Sequence, residues 1–240
     1  VVGMLLITAK QTSASGKTLS TQFFCLAHST VPVTPQVGHT EVYDAASGLD
    51  GYEVADIFLD RNGMLWFALQ GVGVSQYDGR EFKTFTKQDG LPSNHIKTIF
   101  EDSNGVLWFG GWGGVSRYDR KTFKMFTTKN GLVDDSVMAI CEAEKGVLWF
   151  GTLKGVSRFD GANFRNYTKE DGLASDWVTA ITKDHSGNLW FGSNLKSSFS
   201  NGKGATRYDG SAFKVFTTQD GLVNNDVNAI TTDAMGNLWF

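Results

Sequence analysis

The stretch Gly146-Val147-Leu148-Trp149-Phe150-Gly151 decides the fold, because the chain carries five close copies of it. The copies are 42, 41, 41 and 49 residues apart, measured from one tryptophan to the next. A regular spacing of about 40 residues is typical of repeat proteins, in which each repeat is one supersecondary unit. Five of the seven tryptophans occupy this slot, namely Trp66, Trp108, Trp149, Trp190 and Trp239. We therefore expect a repeat architecture.

Each repeat divides into four short extended segments with turn signals between them. In the third copy these segments are residues 137–141, 147–152, 155–160 and 163–168. An Asp-x-x-Gly word precedes the second segment in the other four copies, and Asp-Gly pairs join the third segment to the fourth in three repeats. Helical periodicity is absent from the repeats. Four strands in about 41 residues predict an all-β fold, a β-propeller of four-stranded blades.

The repeats divide the chain into a leader and a propeller region. Residues 1–37 are interpreted as a non-repeat leader or linker, or, through residues 19–27, as a weak secretory signal. Residues 38–240 hold about 4.5 blades, beginning with a lone fourth strand at residues 40–43. Complete blades are predicted at residues 53–86, 95–127, 137–168 and 178–217, with a partial blade at 227–240. We expect an incomplete fragment of a larger propeller, whose open apolar blade faces favour self-association.

The tryptophan slot is interpreted as inter-blade core. A blade is a small twisted sheet that cannot bury its apolar faces alone, so it packs between its neighbours. One Trp and one Phe per blade can each bury on the order of 150–250 Å² there. Trp66, Trp108, Trp149, Trp190 and Trp239 are therefore predicted to be structural.

Composition excludes several kinds of partner. The chain has 22 basic and 25 acidic residues without a basic stripe, which argues against nucleic acid. No apolar run approaches the roughly 18 residues of a spanning helix, so a membrane is reached only through other segments of a parent protein. Cys25 and Cys141 stand in dissimilar contexts, and the four histidines lack metal-ligand spacing. We expect no metal and no cofactor.

Binding groups are predicted on one face of the propeller. The loops between second and third strands share that face with the links between blades, and loops on a rigid scaffold are where binding residues concentrate. Two tryptophans outside the core slot lie there, and the fourth blade has the longest loop. Exposed aromatic rings near polar groups suit sugars. The alternative is that Trp112 packs over its Gly-rich loop and Trp177 caps the seam between blades. The candidate ligand-binding residues are Trp112, Trp177, Asp176, His95, Asn194, Lys196 and Phe199.

A ladder of basic residues follows the third strands. Arg117, Arg158 and Arg207 stand at one position of successive repeats, and Gln76 takes this position in the first. Such a ladder is interpreted as a solvated stripe that pairs with acidic neighbours rather than as an anion site.

The pattern Asp-x-x-Gly-x-Leu-Trp-Phe-Gly-Thr, then Gly-Val-Ser-Arg-Tyr-Asp-Gly, Phe-x-x-Phe-Thr and Asp-Gly-Leu resembles the two-component regulator propeller repeat. The resemblance covers about residues 40–240. It implies a propeller of about seven blades that forms the periplasmic or extracellular sensor domain of a histidine kinase, hybrid kinase or cyclase. It also implies a small-molecule ligand, often a carbohydrate. No output module is recognisable within the chain.

Three classes of function remain open from the sequence. The leading one is a ligand-sensing propeller of a bacterial two-component signalling protein. The second is a propeller scaffold that binds another protein through the same face. The third is an enzyme, since streptogramin lyases and sialidases are propellers with similar sequence motifs. No general acid–base pair or activated nucleophile recurs at a loop mouth, so we predict no catalytic residues in this chain.

Overall fold

The part of the chain that the structure describes consists of β-strands, tight turns and short 3₁₀ helices. The computed structural model describes residues 3–12, 18–27, 41–43, 49, 53–194 and 202–240. Its first sheet has three strands, β1 (Gly3–Thr12), β2 (Thr18–Ala27) and β3 (Glu41–Tyr43). β1 pairs antiparallel with β2 and parallel with β3. This corrects the expectation that residues 40–43 form the outer strand of a blade, because β3 instead occupies the edge of β1 that β2 leaves open.

Four antiparallel sheets of four strands follow, and each is one blade whose strands pair in chain order. This confirms the predicted all-β propeller fold. Blade 1 comprises β4 (Val54–Leu59), β5 (Leu65–Leu69), β6 (Gly73–Tyr77) and β7 (Phe82–Phe85). Blade 2 comprises β8 (Ile96–Glu101), β9 (Leu107–Gly111), β10 (Gly114–Tyr118) and β11 (Phe123–Phe126).

The next two blades repeat this order, and a two-stranded sheet follows them. Blade 3 comprises β12 (Val137–Glu144), β13 (Val147–Thr152), β14 (Gly155–Phe159) and β15 (Phe164–Tyr167). Blade 4 comprises β16 (Val178–Lys183), β17 (Leu189–Ser193), β18 (Ala205–Tyr208) and β19 (Phe213–Phe216). The last sheet comprises β20 (Thr231–Thr232) and β21 (Leu238–Trp239).

The second strand of each blade is covered on both faces. Every residue of β5, β9 and β17 is buried, and so is every residue of β13 after Val147. A strand that neighbours cover on both sides does not need to alternate apolar with polar residues. The continuous Leu-Trp-Phe run of each repeat follows from this position.

Aromatic side chains fill the seams between consecutive blades. In the first seam, between blades 1 and 2, the ring centroids of Trp66 and Phe109 lie 5.5 Å apart. The same two slots meet in the next seams, as Trp108 with Phe150 at 5.7 Å and Trp149 with Phe191 at 5.6 Å. Trp66, Trp108, Trp149 and Trp190 are all buried. Rings of this size supply much of the apolar area that holds the blades together.

Trp239 is the exception in this slot, because it is 61% exposed. No neighbouring sheet of the described chain covers Trp239, so its predicted place in an inter-blade seam stays a prediction. Its strand, β21, pairs only with β20, and no later sheet of the described chain covers it.

An aspartate at the start of the turn before the second strand holds the core tryptophan. Asp60 Oδ1 accepts hydrogen bonds from the backbone N–H groups of Asn62 and Met64, and its Oδ2 accepts from Trp66 Nε1 at 2.8 Å. The indole bond recurs at 2.9, 2.9 and 3.0 Å in the pairs Asp102–Trp108, Asp184–Trp190 and Asp233–Trp239. Blade 3 has Ala143 at the matching position, so it lacks this carboxylate.

Short 3₁₀ helices link each blade to the next, for example Lys169–Asp171. Thr168 and Asp171 form a capping box, in which each side chain accepts a hydrogen bond from the backbone of the other end. Gly172 ends the helix at φ 115°, a left-handed conformation that favours glycine. The Thr-x-x-Asp-Gly word of the repeats thus encodes the link. No helix within the described ranges is long and apolar enough to cross a membrane.

Candidate functional site

The predicted binding face is a continuous surface, because loops of one blade bond to the link that leads into the next. Gly155 N, at the end of the blade 3 loop, donates to the carbonyl oxygen of Asp176 at 2.6 Å. The equivalent bonds join Gly114 to Asp135 at 2.7 Å and Gly204 to Asn225 at 2.8 Å. We call this surface, formed by the loops after the second strands and by the inter-blade links, the loop face.

The structure brings Trp112 and His95 together on the loop face. Trp112 N donates to the carbonyl oxygen of His95 at 3.1 Å, and the Trp112 side chain is 44% exposed. The His95 ring is also exposed, with Nδ1 3.4 Å from Gln70 Oε1. Gln70 is in turn anchored, since its Nε2 donates to the carbonyl oxygen of Ile96 at 3.1 Å. An aromatic ring, an imidazole and an amide therefore share one part of this face.

Asp176 has a structural role that limits its use in binding. Its Oδ1 accepts from Lys169 N at 2.8 Å and so caps the linking 3₁₀ helix. Lys169 Nζ lies 3.9 Å from the same carboxylate. Side chains at the matching positions make the same bond at 2.6 to 2.8 Å; they are Asn94, Asp135 and Asn225. The sequence shows Asp or Asn at this position in every link. That this side chain caps the 3₁₀ helix became visible only from its hydrogen bond in the structure.

Trp177 is less accessible than Trp112. Its side chain is half-buried, and its backbone N–H donates to Ser175 Oγ at 3.2 Å. Among the described residues, no hydrogen bond, ion pair or ring contact joins Trp177 to Trp112. The two tryptophans that the sequence placed on one face are therefore separate contact points on it.

The long loop of blade 4 is described only at its two ends. Asn194 Nδ2 donates to Asn228 Oδ1, and Val227 N donates to the carbonyl oxygen of Ser193 at 3.0 Å. Lys196 and Phe199, the other candidates from this loop, lie outside the described residues. Asn194 thus faces the link that follows blade 4.

An ion pair on the loop face was missed by the sequence analysis. Lys154 Nζ lies 3.1 Å from Asp134 Oδ2, and it joins the blade 3 loop to the link that precedes the same blade. The sequence contained a signal for it only in the opposite charges of the two loop positions. In the described part of the chain, no group of three or more His, Cys, Asp or Glu side chains is placed to hold a metal ion.

Comparison with known families matches the repeats to one family model. The two-component regulator propeller model matches residues 90–113, 131–154 and 172–195. Each match runs from the Gly of a link through the first two strands of a blade, and therefore includes the core tryptophan. The resemblance to the two-component regulator propeller repeat is confirmed in these three segments. Comparison with curated proteins found no significant match.

Comparison with solved structures places the chain among propellers. The extracellular domain assigned to a hybrid two-component system of B. thetaiotaomicron is 25% identical with a TM-score of 0.67, and the match covers 80% of this chain and 26% of that one. A second such domain from B. thetaiotaomicron is 22% identical with a TM-score of 0.67, covering 79% and 28%. The chain thus spans about a quarter of the length of these two structures.

A catalytically inactive virginiamycin B lyase from Staphylococcus aureus, solved with quinupristin, also shares the fold. It is 18% identical with a TM-score of 0.59, and the match covers all of this chain and 77% of that one. At this level of identity the likeness concerns the arrangement of strands alone.

Proposed function

We propose that this chain is a ligand-sensing propeller region of a bacterial two-component signalling protein. The observation that carries the proposal is the recurrence of the two-component regulator propeller match at three successive repeats. Support comes from the two similar structures from B. thetaiotaomicron, which are extracellular domains assigned to hybrid two-component systems. A periplasmic or extracellular location and an output module elsewhere in the parent protein are parts of this proposal.

The loop face is the proposed ligand surface, and carbohydrate is the proposed ligand class. Trp112 offers an exposed ring, and its backbone N–H donates to His95, whose imidazole contacts the Gln70 amide. Flat aromatic rings cover the C–H faces of sugars, while polar side chains of this kind bind their hydroxyl groups. The rigid strands beneath hold these groups in fixed positions, which lowers the ordering cost of binding.

Binding rather than catalysis is proposed because the loop face lacks an assembled reaction centre among its described residues. The carboxylate of Asp176 is engaged in capping a helix, and Asp134 is paired with Lys154. The lyase neighbour supports a shared fold only. A protein-binding scaffold is the second candidate, since Val223 is fully exposed in a link of the same face and adds apolar surface beyond Trp112.

Thermal shift with a panel of neutral oligosaccharides tests the ligand proposal. We expect at least one sugar to raise the melting temperature of the 240-residue chain, and Trp112→Ala to remove that rise. Trp239→Ala is the matched control, because Trp239 is exposed but belongs to another part of the fold. An unchanged rise in Trp112→Ala would show that the loop face is not the sugar site.

The parent gene tests the signalling proposal separately. We expect the parent protein to contain a membrane-spanning helix and a histidine kinase or cyclase module. A parent protein with neither would contradict the sensor role and favour the scaffold.

A further inference from the structure

On the face opposite the loop face, charged side chains close the first seam. Arg120 stands in the hairpin of blade 2 where the other complete blades have glycine, and it adopts φ 70°. Its Nη1 lies 2.8 Å from Asp60 Oδ2 in blade 1, and its Nη2 lies 2.7 Å from Glu101 Oε1. The Asp60 carboxylate also accepts the indole N–H of Trp66. A carboxylate and a guanidinium thus fill the space over this tryptophan.

Both of these groups are missing from the third seam, between blades 3 and 4. Ala143 stands in the place of Asp60, and Gly210 stands in the place of Arg120. Trp149 occupies the slot of Trp66, and no described residue accepts a hydrogen bond from its indole N–H. A cleft of about 410 Å³ lies in this position, and Ala143, Gly210 and Trp149 all line it. We call this space the third-seam cleft.

Two arginines line the third-seam cleft beside Trp149. Arg158 is the cross-strand partner of both Trp149 and Arg165, so the two arginines are direct neighbours. Neither forms an ion pair with any described carboxylate, whereas Arg117, which matches Arg158 in blade 2, lies 4.0 Å from Asp119. Like charges on directly opposed residues repel. The two arginines therefore have no carboxylate within ion-pair distance, although Asp209 and Glu144 also line the cleft, and a ligand carboxylate beside them would relieve their mutual repulsion.

The remaining walls supply hydroxyl groups and one fixed carboxylate. Tyr167 and Tyr208 line the cleft, and the Arg165 guanidinium lies 5.1 Å from the Tyr167 ring centroid. Tyr208 Oη donates to the carbonyl oxygen of Gly210 at 2.8 Å. Asp209 also lines the cleft, but its Oδ1 already accepts from the backbone N–H groups of Ser211 and Ala212 at 2.9 Å. The polar groups around the cleft thus include two guanidinium donors, and Tyr208 Oη can still accept a hydrogen bond.

We propose that the third-seam cleft binds a small hydroxylated carboxylate, of the size and class of a sugar acid. Its carboxylate takes the place that Asp60 occupies in the first seam and accepts from Trp149 Nε1. Arg158 provides the opposite charge, since guanidinium–carboxylate pairs are among the strongest hydrogen-bonded contacts in proteins. The hydroxyl groups contact Tyr167, Tyr208 and the exposed Glu144 at the rim. A cleft of about 410 Å³ is within the usual range for small-ligand sites.

This site goes beyond the proposed function, because binding there does not depend on the signalling role. It also lies away from the loop face, at the ends of the strands where the turns before the second strands and the hairpins after the third strands meet. Loss of one site therefore leaves the other intact, and the two are separable by mutation.

Calorimetric titration of the 240-residue chain with galacturonate tests the site. Galactose is the matched control ligand, because it has the same ring with a hydroxymethyl group in place of the carboxylate, and acetate tests the carboxylate alone. We expect galacturonate to bind at least about tenfold more tightly than either control. Galactose lacks the charge-assisted contact of the carboxylate, and acetate lacks the contacts of the hydroxyl groups. Equal affinity for galactose, or no binding of galacturonate up to about 10 mM, would overturn the proposal.

Variants that copy the other blades locate the binding. Ala143→Asp supplies the carboxylate of the other repeats, and Arg158→Gln copies Gln76 of blade 1; each is expected to weaken galacturonate binding at least about tenfold. Arg165→Lys copies Lys83, Lys124 and Lys214 and is expected to retain most of the affinity. Ala162→Asp, which adds a carboxylate in an exposed hairpin of the same blade, should leave it unchanged. Tight binding that survives both Ala143→Asp and Arg158→Gln would place the ligand elsewhere and contradict the proposal.

Discussion

Arg120 of blade 2 contacts Asp60 of blade 1 across the first seam, with Nη1 2.8 Å from Oδ2. The Asp60 side chain is fully buried, and it also accepts the indole N–H of Trp66. One carboxylate therefore joins the core tryptophan of one blade to the hairpin of the next. The third seam has Ala143 and Gly210 at the two matching positions, and a cleft lies between them.

Arg120→Gly is expected to destabilise the chain by about 1–3 kcal/mol, because it leaves the buried Asp60 carboxylate without its cation. The loss occurs even though glycine relieves the φ of 70° at this position. Denaturant unfolding measures the change. Arg80→Gly is the control, since Arg80 is exposed and is expected to contribute less than about 0.5 kcal/mol. Equal effects of the two changes would argue against a role for Arg120 in the seam.

Ala143→Asp is expected to stabilise the ligand-free chain by about 1 kcal/mol, because it provides an acceptor for Trp149 Nε1. Ala162→Asp, in an exposed hairpin of the same blade, is the control for the added charge. The two variants are compared by thermal unfolding. A destabilised Ala143→Asp would indicate that the turn of blade 3 cannot adopt the geometry of the other turns.

Trp149→Ala is expected to cost about 3–5 kcal/mol, because the ring is buried and contacts Phe191 and Tyr208 of the next blade. Trp239→Ala is expected to cost less than about 1 kcal/mol, because Trp239 is 61% exposed. Both substitutions remove the same side chain from the same slot of the repeat. Similar costs in urea unfolding would contradict the inter-blade packing described for the third seam.

The stability of the chain is expected to fall as the pH rises through about 7. Burial raises the pKa of Asp56 to about 7, although its carboxylate accepts a hydrogen bond from Ile99 N at 2.8 Å. An unfolded aspartate ionises near pH 3.9, so between about pH 4 and about pH 7 the unfolded chain releases a proton that the folded chain retains. The stabilisation that protonated Asp56 provides is therefore complete below about pH 4, and it is lost as the pH rises to about 7.

Asp56→Asn isolates this effect, since asparagine can still accept from Ile99 N but does not ionise. The melting temperature of the original chain should fall more steeply between about pH 4 and about pH 7 than that of the variant. Parallel pH profiles would show that Asp56 is ionised in the folded chain throughout this range.

The sequence predicted the blades because their signals are local. The Leu-Trp-Phe strand, the Asp-x-x-Gly turn and the Thr-x-x-Asp-Gly link each depend on residues a few positions apart. The parallel pairing of β3 with β1 was not predicted, because it joins segments more than 30 residues apart without a repeated pattern.

The candidate sites were harder to predict because they depend on contacts between blades. Trp112 was correctly expected to lie at an accessible loop, but the capping role of the Asp176 carboxylate appears only through its bond to Lys169 N. The absence of aspartate at position 143 was visible in the sequence. The consequence of that absence was not visible. It follows from the first seam, where Arg120 contacts Asp60, which stands 60 positions earlier in the chain.

The indole N–H signal of Trp149 in a ¹H–¹⁵N NMR spectrum tests the central claim most directly. In the free chain this N–H should exchange with solvent faster than the indole N–H groups of Trp66 and Trp108, which are bonded to Asp60 and Asp102. Galacturonate, but not galactose, should shift the Trp149 signal and slow its exchange while leaving the Trp66 and Trp108 signals in place. A Trp149 N–H that is already as protected as the other two, and that does not respond to galacturonate, would contradict the open third seam and its ligand site.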